Sequence, residues 1–319
     1  MKLMVDGIWK GDVAQTSAAD MINAGAFRHR VTSDGSSDYA AAPDRYHLFV
    51  SYACPFSHRV IITRALKQLE RIVGMSVLHP HWDTSDGWVF AATNWSTPDS
   101  SGCGFLRLHE AYSASRPDYT GKVTVPVIWD RLSRRIVNNE SVEIVQMLNG
   151  AFDEFCPQGV MDLYPADLGP QIDGLAAEIE VNLAKAVYRV AGAVDQEQYD
   201  LATANLFGFL DDLEVRLRDG RRFLFGGQVT TADILVFATL ARFDAVYNPL
   251  FRAMRKRLVD YPLTSRLVFR IYSLPGVADT VRLDHILMHY YDGDWAVAAR
   301  RGIVPNPPTI DFRVDRFGA

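Results

Sequence analysis

The stretch SYACPFSHRV, Ser51 to Val60, sets a cysteine directly before a proline and follows them with a histidine and an arginine. Proline is favoured at the first helical position, because the amide hydrogen it lacks would be unpaired there anyway, so Pro55 predicts a helix start with Cys54 as its N-cap. Free amides and the positive end of the helix dipole then face the sulfur and favour thiolate over thiol. His58, one turn on, and Arg59 add positive charge nearby. On composition alone a lone cysteine packs as a small hydrophobe. Its position after a strand-like run and before a proline turns the reading of Cys54 to a nucleophile. Position 57 is serine, not a second cysteine, so a mixed disulfide formed at Cys54 must be resolved by an external thiol.

Two further places bear on a ligand. Pro126, inside VTVPVI, cannot donate to a sheet ladder and belongs at a strand start, at an edge or in a cis turn. At a strand start it leaves the backbone of Val125 free to pair with an extended, peptide-like ligand. The polar run Asn138 to Ser141 leads into a helix, where amides and the Ser141 hydroxyl can hold a carboxylate or simply cap the helix. His285 and His289 stand four apart, but no acidic or cysteine partner is spaced to complete a metal site, and none is assigned.

These residues need elements to hold them. RYHLFVSYA, 45–53, reads as a strand, and the segment from Pro55 to Glu70 as an amphipathic helix. Its apolar face carries Ile61, Ile62, Ala65, Leu66 and Leu69, and its polar face Arg59, Thr63, Arg64, Lys67 and Gln68. IVGMSVLHP is a second strand, expected to run parallel to the first. KVTVPVIWD and RRIVNNE give two more strands, and SVEIVQMLN a helix. This is the order of a thioredoxin-like α/β domain, expected over 43–155 after an N-terminal extension over 1–42, with an aperiodic inserted loop over 80–120. A linker over 156–170, carrying prolines and glycines, leads to an all-α domain over 171–319 with helices at 171–193, 196–218 and 231–246. In VTTADI, Thr230 and Asp233 have the spacing of a capping box, and Val229 can staple onto Ile234.

Composition excludes several classes. The chain has 319 residues, enough for two domains, and its 33 Lys and Arg against 38 Asp and Glu give a net charge of −5. No basic block marks a nucleic-acid surface. No apolar run is long enough to span a bilayer, and the opening MKLMVDGIWKGD lacks a signal-peptide core, so a cytoplasmic protein without a membrane partner is expected. The three cysteines, Cys54, Cys103 and Cys156, include no CxxC pair, which argues against a disulfide framework and for a reducing compartment.

Taken together, DRYHLFVSYACPFSHR, DGWVF, DYTGKVTVPVIWD, IVNNESVEIVQMLN, ARFDAVY, LPGVADTVRLDHI and HYY resemble the glutathione transferase superfamily, in detail its Xi class, the glutathionyl-hydroquinone reductases. The resemblance covers most of the chain and is weakest up to Ala42. It implies that Cys54 is the catalytic nucleophile, that Trp88, Val125, Glu140 and Ser141 contact glutathione, and that Tyr188 and Tyr290 line an aromatic-substrate site, with Tyr247 a weaker candidate. Pro126 belongs to the same glutathione subsite. The class usually has CPWAHR where this chain has Cys54-Pro55-Phe56-Ser57-His58-Arg59, which alters the local packing. It usually has arginine where Lys122 stands; lysine keeps the charge but loses the bidentate fork that suits a carboxylate. Around Tyr188 its NNGVYKAGFA is matched only approximately by NLAKAVYRVAGA.

The implied partners are glutathione, as co-substrate, and glutathionylated aromatic small molecules. The implied assembly is a homodimer, for which Tyr290, Tyr291 and Trp295 offer aromatic surface near the C-terminus. The implied reaction reduces an S-glutathionyl-hydroquinone through a Cys54–glutathione mixed disulfide. An Omega-type thioltransferase or dehydroascorbate reductase shares the Cys-Pro helix start and stands as one alternative. A non-enzymatic binding protein with the same fold is the other, and an intact Cys54 counts against it.

Overall fold

A computed structural model of the chain describes residues 2–12, 26–82, 85–293 and 303–306. The chain divides into two units, Met1–Val160 with Asp284–Pro305, and Met161–Leu283 with Asn306–Ala319.

In the first unit, the hairpin β1 (Lys2–Val5) and β2 (Ile8–Asp12) and the short parallel pair β3 (Val31–Thr32) and β4 (Tyr39–Ala40) precede the central sheet. That sheet is built from β5 (Tyr46–Val50), β6 (Gly74–Val77), β7 (Val127–Asp130) and β8 (Arg135–Asn138), in the order β6-β5-β7-β8. β6 runs parallel to β5, whereas β7 and β8 are antiparallel to their neighbours, the arrangement of a thioredoxin-like domain. Helix α1 (Pro55–Leu66) joins β5 to β6. Successive strand residues point to opposite faces. Leu48 and Val50 therefore pack with Val60 and Ile61 of α1, while Phe49 packs with Trp88, Val125 and Trp129 on the other side. Both faces are covered, which is why β5 is buried along its whole length.

The structure differs from the sequence expectations in several places. Part of the expected polar face of α1 is inside: Arg59, Thr63 and Lys67 are buried, whereas Arg64 is half-buried and Gln68 exposed. This face meets α3 (Ser141–Gly150) and the turn after it, where Arg59 Nη1 donates to Ser141 Oγ at 3.3 Å and Lys67 Nζ to Asp153 at 2.8 Å. Local periodicity reports polarity and not which polar groups will find buried partners. Second, the insertion over 80–120 is not a loop throughout, because it contains α2 (Leu108–Ser115), which buries Leu108, Ala111 and Tyr112 at helical spacing.

Third, the N-terminal extension is part of the α/β unit. His29 N–H donates to Val137 O at 3.0 Å along the free edge of β8, and Met4 exchanges two backbone hydrogen bonds of 2.9 Å with Gly121. Gly7, at φ 73°, has no room for a side chain, since a Cβ there would lie 1.8 Å from Pro117 O.

The second unit is built on helices α4 (Gly169–Ile179), α5 (Ala186–Gly192), α6 (Gln196–Arg216), α7 (Thr231–Leu240) and α8 (Pro262–Tyr272). The expected continuous helices over 171–193 and 231–246 are each broken by a π-helical turn, Glu180–Ala184 and Phe243–Tyr247. Every residue of α7 is buried. Its start carries the expected capping pair, with Asp233 accepting from both Thr230 N–H and Thr230 Oγ1 at 2.8 Å.

A further difference concerns α9 (Leu283–Asp292), expected in the helical domain: all but its first residue group with the first unit. The cause is a set of ring contacts described below. Among the described residues no helix is long and apolar enough to cross a membrane.

Candidate active site

Cys54 is the N-cap of α1, with extended backbone (φ −79°, ψ 124°), and Pro55 opens the helix. Its carbonyl closes the first turn by accepting from His58 N–H at 2.9 Å. The side chain makes no capping hydrogen bond. Instead the half-buried thiol donates to Val125 O at 3.7 Å. The positive end of the helix dipole stabilises negative charge on a sulfur held here. Ser57, where a dithiol enzyme would carry its second cysteine, is buried and accepts from Ser51 N–H at 3.3 Å.

The Val125–Pro126 peptide is cis and leads into β7. Tyr112 OH locks the preceding residue by donating to Thr124 O at 2.9 Å and accepting from Thr124 N–H at 3.1 Å. Among the described residues the Val125 N–H has no acceptor, so its amide is open while its carbonyl faces the thiol.

Glu140 is the N-cap of α3, and its N–H donates to Asn138 Oδ1 at 2.7 Å. The two asparagines serve the N-terminal segment: Asn138 Nδ2 donates to His29 O at 3.0 Å, and Asn139 Oδ1 accepts from Phe27 N–H at 3.1 Å. Ser141 begins the helix above the buried Arg59, whose guanidinium also lies 5.0 Å from the Phe56 ring. Glu143, one turn into α3, is held below the usual carboxylate range by its hydrogen bonds from Arg28, against the opposing effect of burial. Lys122 is half-buried, and its carbonyl accepts from Tyr119 OH at 2.8 Å.

Trp88 contacts two rings, Trp82 at 5.7 Å and 24° and His289 of α9 at 5.6 Å and 9°, and these two lie 6.5 Å from each other. Tyr290 is buried and meets His289 edge to face at 4.9 Å. One turn earlier on α9, His285 contacts Tyr52 at 5.5 Å and Trp95 at 5.3 Å. The two histidines thus serve different ring clusters. Among the described residues no group of three or more His, Cys, Asp or Glu could hold a metal ion.

Tyr188 and Tyr247 belong to the second unit, with ring centroids 6.1 Å apart, and Phe251 contacts both. Tyr188 stands on α5 just after one π-helical turn, and Tyr247 ends the other. Cys54, Trp88, Lys122, Val125, Pro126, Glu140, Ser141 and Tyr290 all belong to the first unit. Trp295 lies outside the described residues. Of the other cysteines, Cys156 donates to Phe152 O at 3.4 Å, and burial pushes its thiol up, away from reactivity. The roles of Trp82 and His289 are absent from the sequence reading; the rings of HPHWD and HYY were its only available signal, and nothing local pairs them.

The known protein families and structures agree with this geometry. Residues 53–151 match the family description "Glutathione S-transferase, N-terminal domain" and residues 196–266 match "Glutathione S-transferase, C-terminal domain". The glutathionyl-hydroquinone reductase PcpF of Sphingobium chlorophenolicum is 41% identical over 97% of this chain and 96% of its own. A Xi class glutathione transferase from Natrialba magadii superposes with a TM-score of 0.92 at 38% identity, covering 98% of this chain and 96% of that one. The glutathione-bound structure of YqjG, a glutathione transferase homolog from Escherichia coli K-12, gives 0.86 at 37% identity, covering 98% and 97%. The likeness runs over nearly the whole length of this chain and of these proteins, and the chain belongs to the glutathione transferase family, in its Xi class.

Proposed function

We propose that this protein reduces S-glutathionyl-hydroquinones to hydroquinones with glutathione as the reductant, and that Cys54 is its nucleophile. The observation that carries this reading is the Cys54 thiol at the start of α1, 3.7 Å from a Val125 carbonyl whose own amide is open. That amide and carbonyl suit the backbone of a bound tripeptide, as a strand edge does. The open start of α3 at Glu140 and Ser141 suits a glutathione carboxylate, with Lys122 as a further cation. Trp88 contributes its indole edge.

Cys54 thiolate attacks the sulfur of the conjugate. The new S–S bond joins Cys54 to glutathione, and the electron pair of the broken C–S bond passes to the ring carbon, which takes a proton to give the hydroquinone. The thiolate of a second glutathione then attacks the glutathione sulfur of that mixed disulfide, freeing Cys54 thiolate and releasing glutathione disulfide. With serine at position 57 the second thiol has to be a free molecule. The family resemblance further supports a homodimer and a cytoplasmic setting, where glutathione keeps thiols reduced.

The test is turnover of a glutathionyl-hydroquinone with glutathione, run beside dehydroascorbate and a glutathione mixed disulfide. Cys54→Ala is expected to abolish turnover, whereas Cys103→Ala and Cys156→Ala retain most of it. Near-normal turnover by Cys54→Ala would overturn the mechanism. Activity confined to dehydroascorbate and the mixed disulfide would replace the hydroquinone with general thiol transfer.

A further inference from the structure

Trp88 packs in a cluster of three rings. Trp82 stacks on it at 5.7 Å, His289 lies nearly parallel to it at 5.6 Å, and these two neighbours are themselves 6.5 Å apart. The indole Nε1–H is the donor that Trp88 can offer a ligand. His289 is itself fixed: a carbonyl only accepts, so the 2.8 Å contact to Pro80 O places a proton on Nδ1. One turn of chain later, Asp292 meets His81 at 2.9 Å. Gly293 ends the helix where a Cβ would lie 2.4 Å from His289 O. The segment Pro80–Trp82 is thereby fastened to α9 at two points.

We infer that His289 is a positioning residue for the glutathione subsite: stacked on Trp88 and tied to Pro80, it sets the angle at which the indole N–H edge is offered to glutathione. The inference rests on the reading that Trp88 contacts glutathione. The part of His289 that matters is its flat ring. Stacked aromatic pairs contribute about 0.5–1.5 kcal/mol beyond burial, so losing this one weakens binding about three- to tenfold. The chemical step at Cys54 does not involve His289, so the loss falls on the Michaelis constant for glutathione and not on turnover at saturation.

The experiment is glutathione affinity by calorimetry, with steady-state kinetics, for His289→Ala, Trp88→Ala and the double variant, each checked by thermal melting. His289→Ala is expected to weaken glutathione about three- to tenfold and Trp88→Ala by more. In the Trp88→Ala background, His289→Ala should add nothing, because the ring it positions is gone. Two variants separate stacking from the tie to Pro80 if His289→Ala fails to fold. His289→Phe keeps the ring and should hold affinity close to that of the parent. His289→Gln keeps a donor for Pro80 O and should weaken binding as alanine does. Equal losses from His289→Ala with and without Trp88, or full affinity in His289→Gln, would overturn the inference. Unchanged affinity in Trp88→Ala would instead sink the reading that Trp88 contacts glutathione, and the positioning role with it.

Discussion

Breaking a carbon–sulfur bond asks more of individual side chains than exchanging a disulfide does. In exchange the leaving group is already a thiolate, so Cys54 and a bound glutathione suffice. Release of a hydroquinone also needs hydrogen-bond donors where charge develops on the ring, and each such donor contributes about 2–4 kcal/mol to the transition state. Tyr188 and Tyr290 are the family-derived candidates. Tyr188→Phe removes one oxygen and keeps the ring contacts to Tyr247 and Phe251, so its packing survives. We expect it to slow glutathionyl-hydroquinone reduction about a hundredfold and to leave mixed-disulfide reduction nearly unchanged. Parallel losses in the two assays would mean structural damage, and no loss in either would move the aromatic site away from Tyr188. Cys54 was legible from sequence because the Cys-Pro helix start is a local signal. Trp88's stacking partner was not, since His289 and the loop it fastens are 209 positions apart at the Pro80 contact.

At the scale of elements, the start of α7 shows how much one buried carboxylate can organise. Asp233 is fully buried and accepts from Leu224 N–H, Thr230 N–H and Thr230 Oγ1, each at 2.8 Å. Burial pushes its carboxyl up to about 6 against those three bonds, so it is ionised at neutral pH. Asp233→Ala leaves two amides and a hydroxyl without their acceptor in the core, at about 1–3 kcal/mol for each unsatisfied group. A loss of about 3 kcal/mol or more is therefore expected in denaturant unfolding; a loss under 1 kcal/mol would show that water or a neighbour replaces the carboxylate. The Thr-x-x-Asp spacing made this start visible in the sequence. The short helix α2 was hidden, because only Leu108, Ala111 and Tyr112 mark its buried face and the surrounding Gly, Ser and Pro suggest a loop. The π-helical turns before Tyr188 and at Tyr247 were equally silent, since a continuous apolar period does not register one extra residue in a turn.

For the molecule as a whole, what the sequence concealed is pairing over distance: the buried part of the polar face of α1, the extension laid along β8, and the grouping of α9 with the first unit. His47 in β5 is a buried polar group of this kind, and it makes global stability depend on pH. Arg131 Nη2 lies 2.9 Å from His47 Nδ1, and Ser76 Oγ lies 2.8 Å from Nε2. A guanidinium only donates, so Nδ1 is the acceptor and the ring is neutral with its proton on Nε2. Burial, and then the positive charge of Arg131, push His47 from the ordinary 6.5 down to about 4. A base with a depressed value binds fewer protons folded than unfolded, so its contribution is complete above about pH 6.5 and is lost as the pH falls toward 4. The depression corresponds to about 3 kcal/mol. His47→Gln can accept from Arg131 or donate to Ser76 but cannot titrate. Between pH 7 and pH 4 the parent's unfolding free energy should fall by about 3 kcal/mol more than the variant's, because acidic groups common to both cancel in the difference. Parallel curves across that range would mean that His47 charges without unfolding the protein, and that Arg131 moves aside to let it.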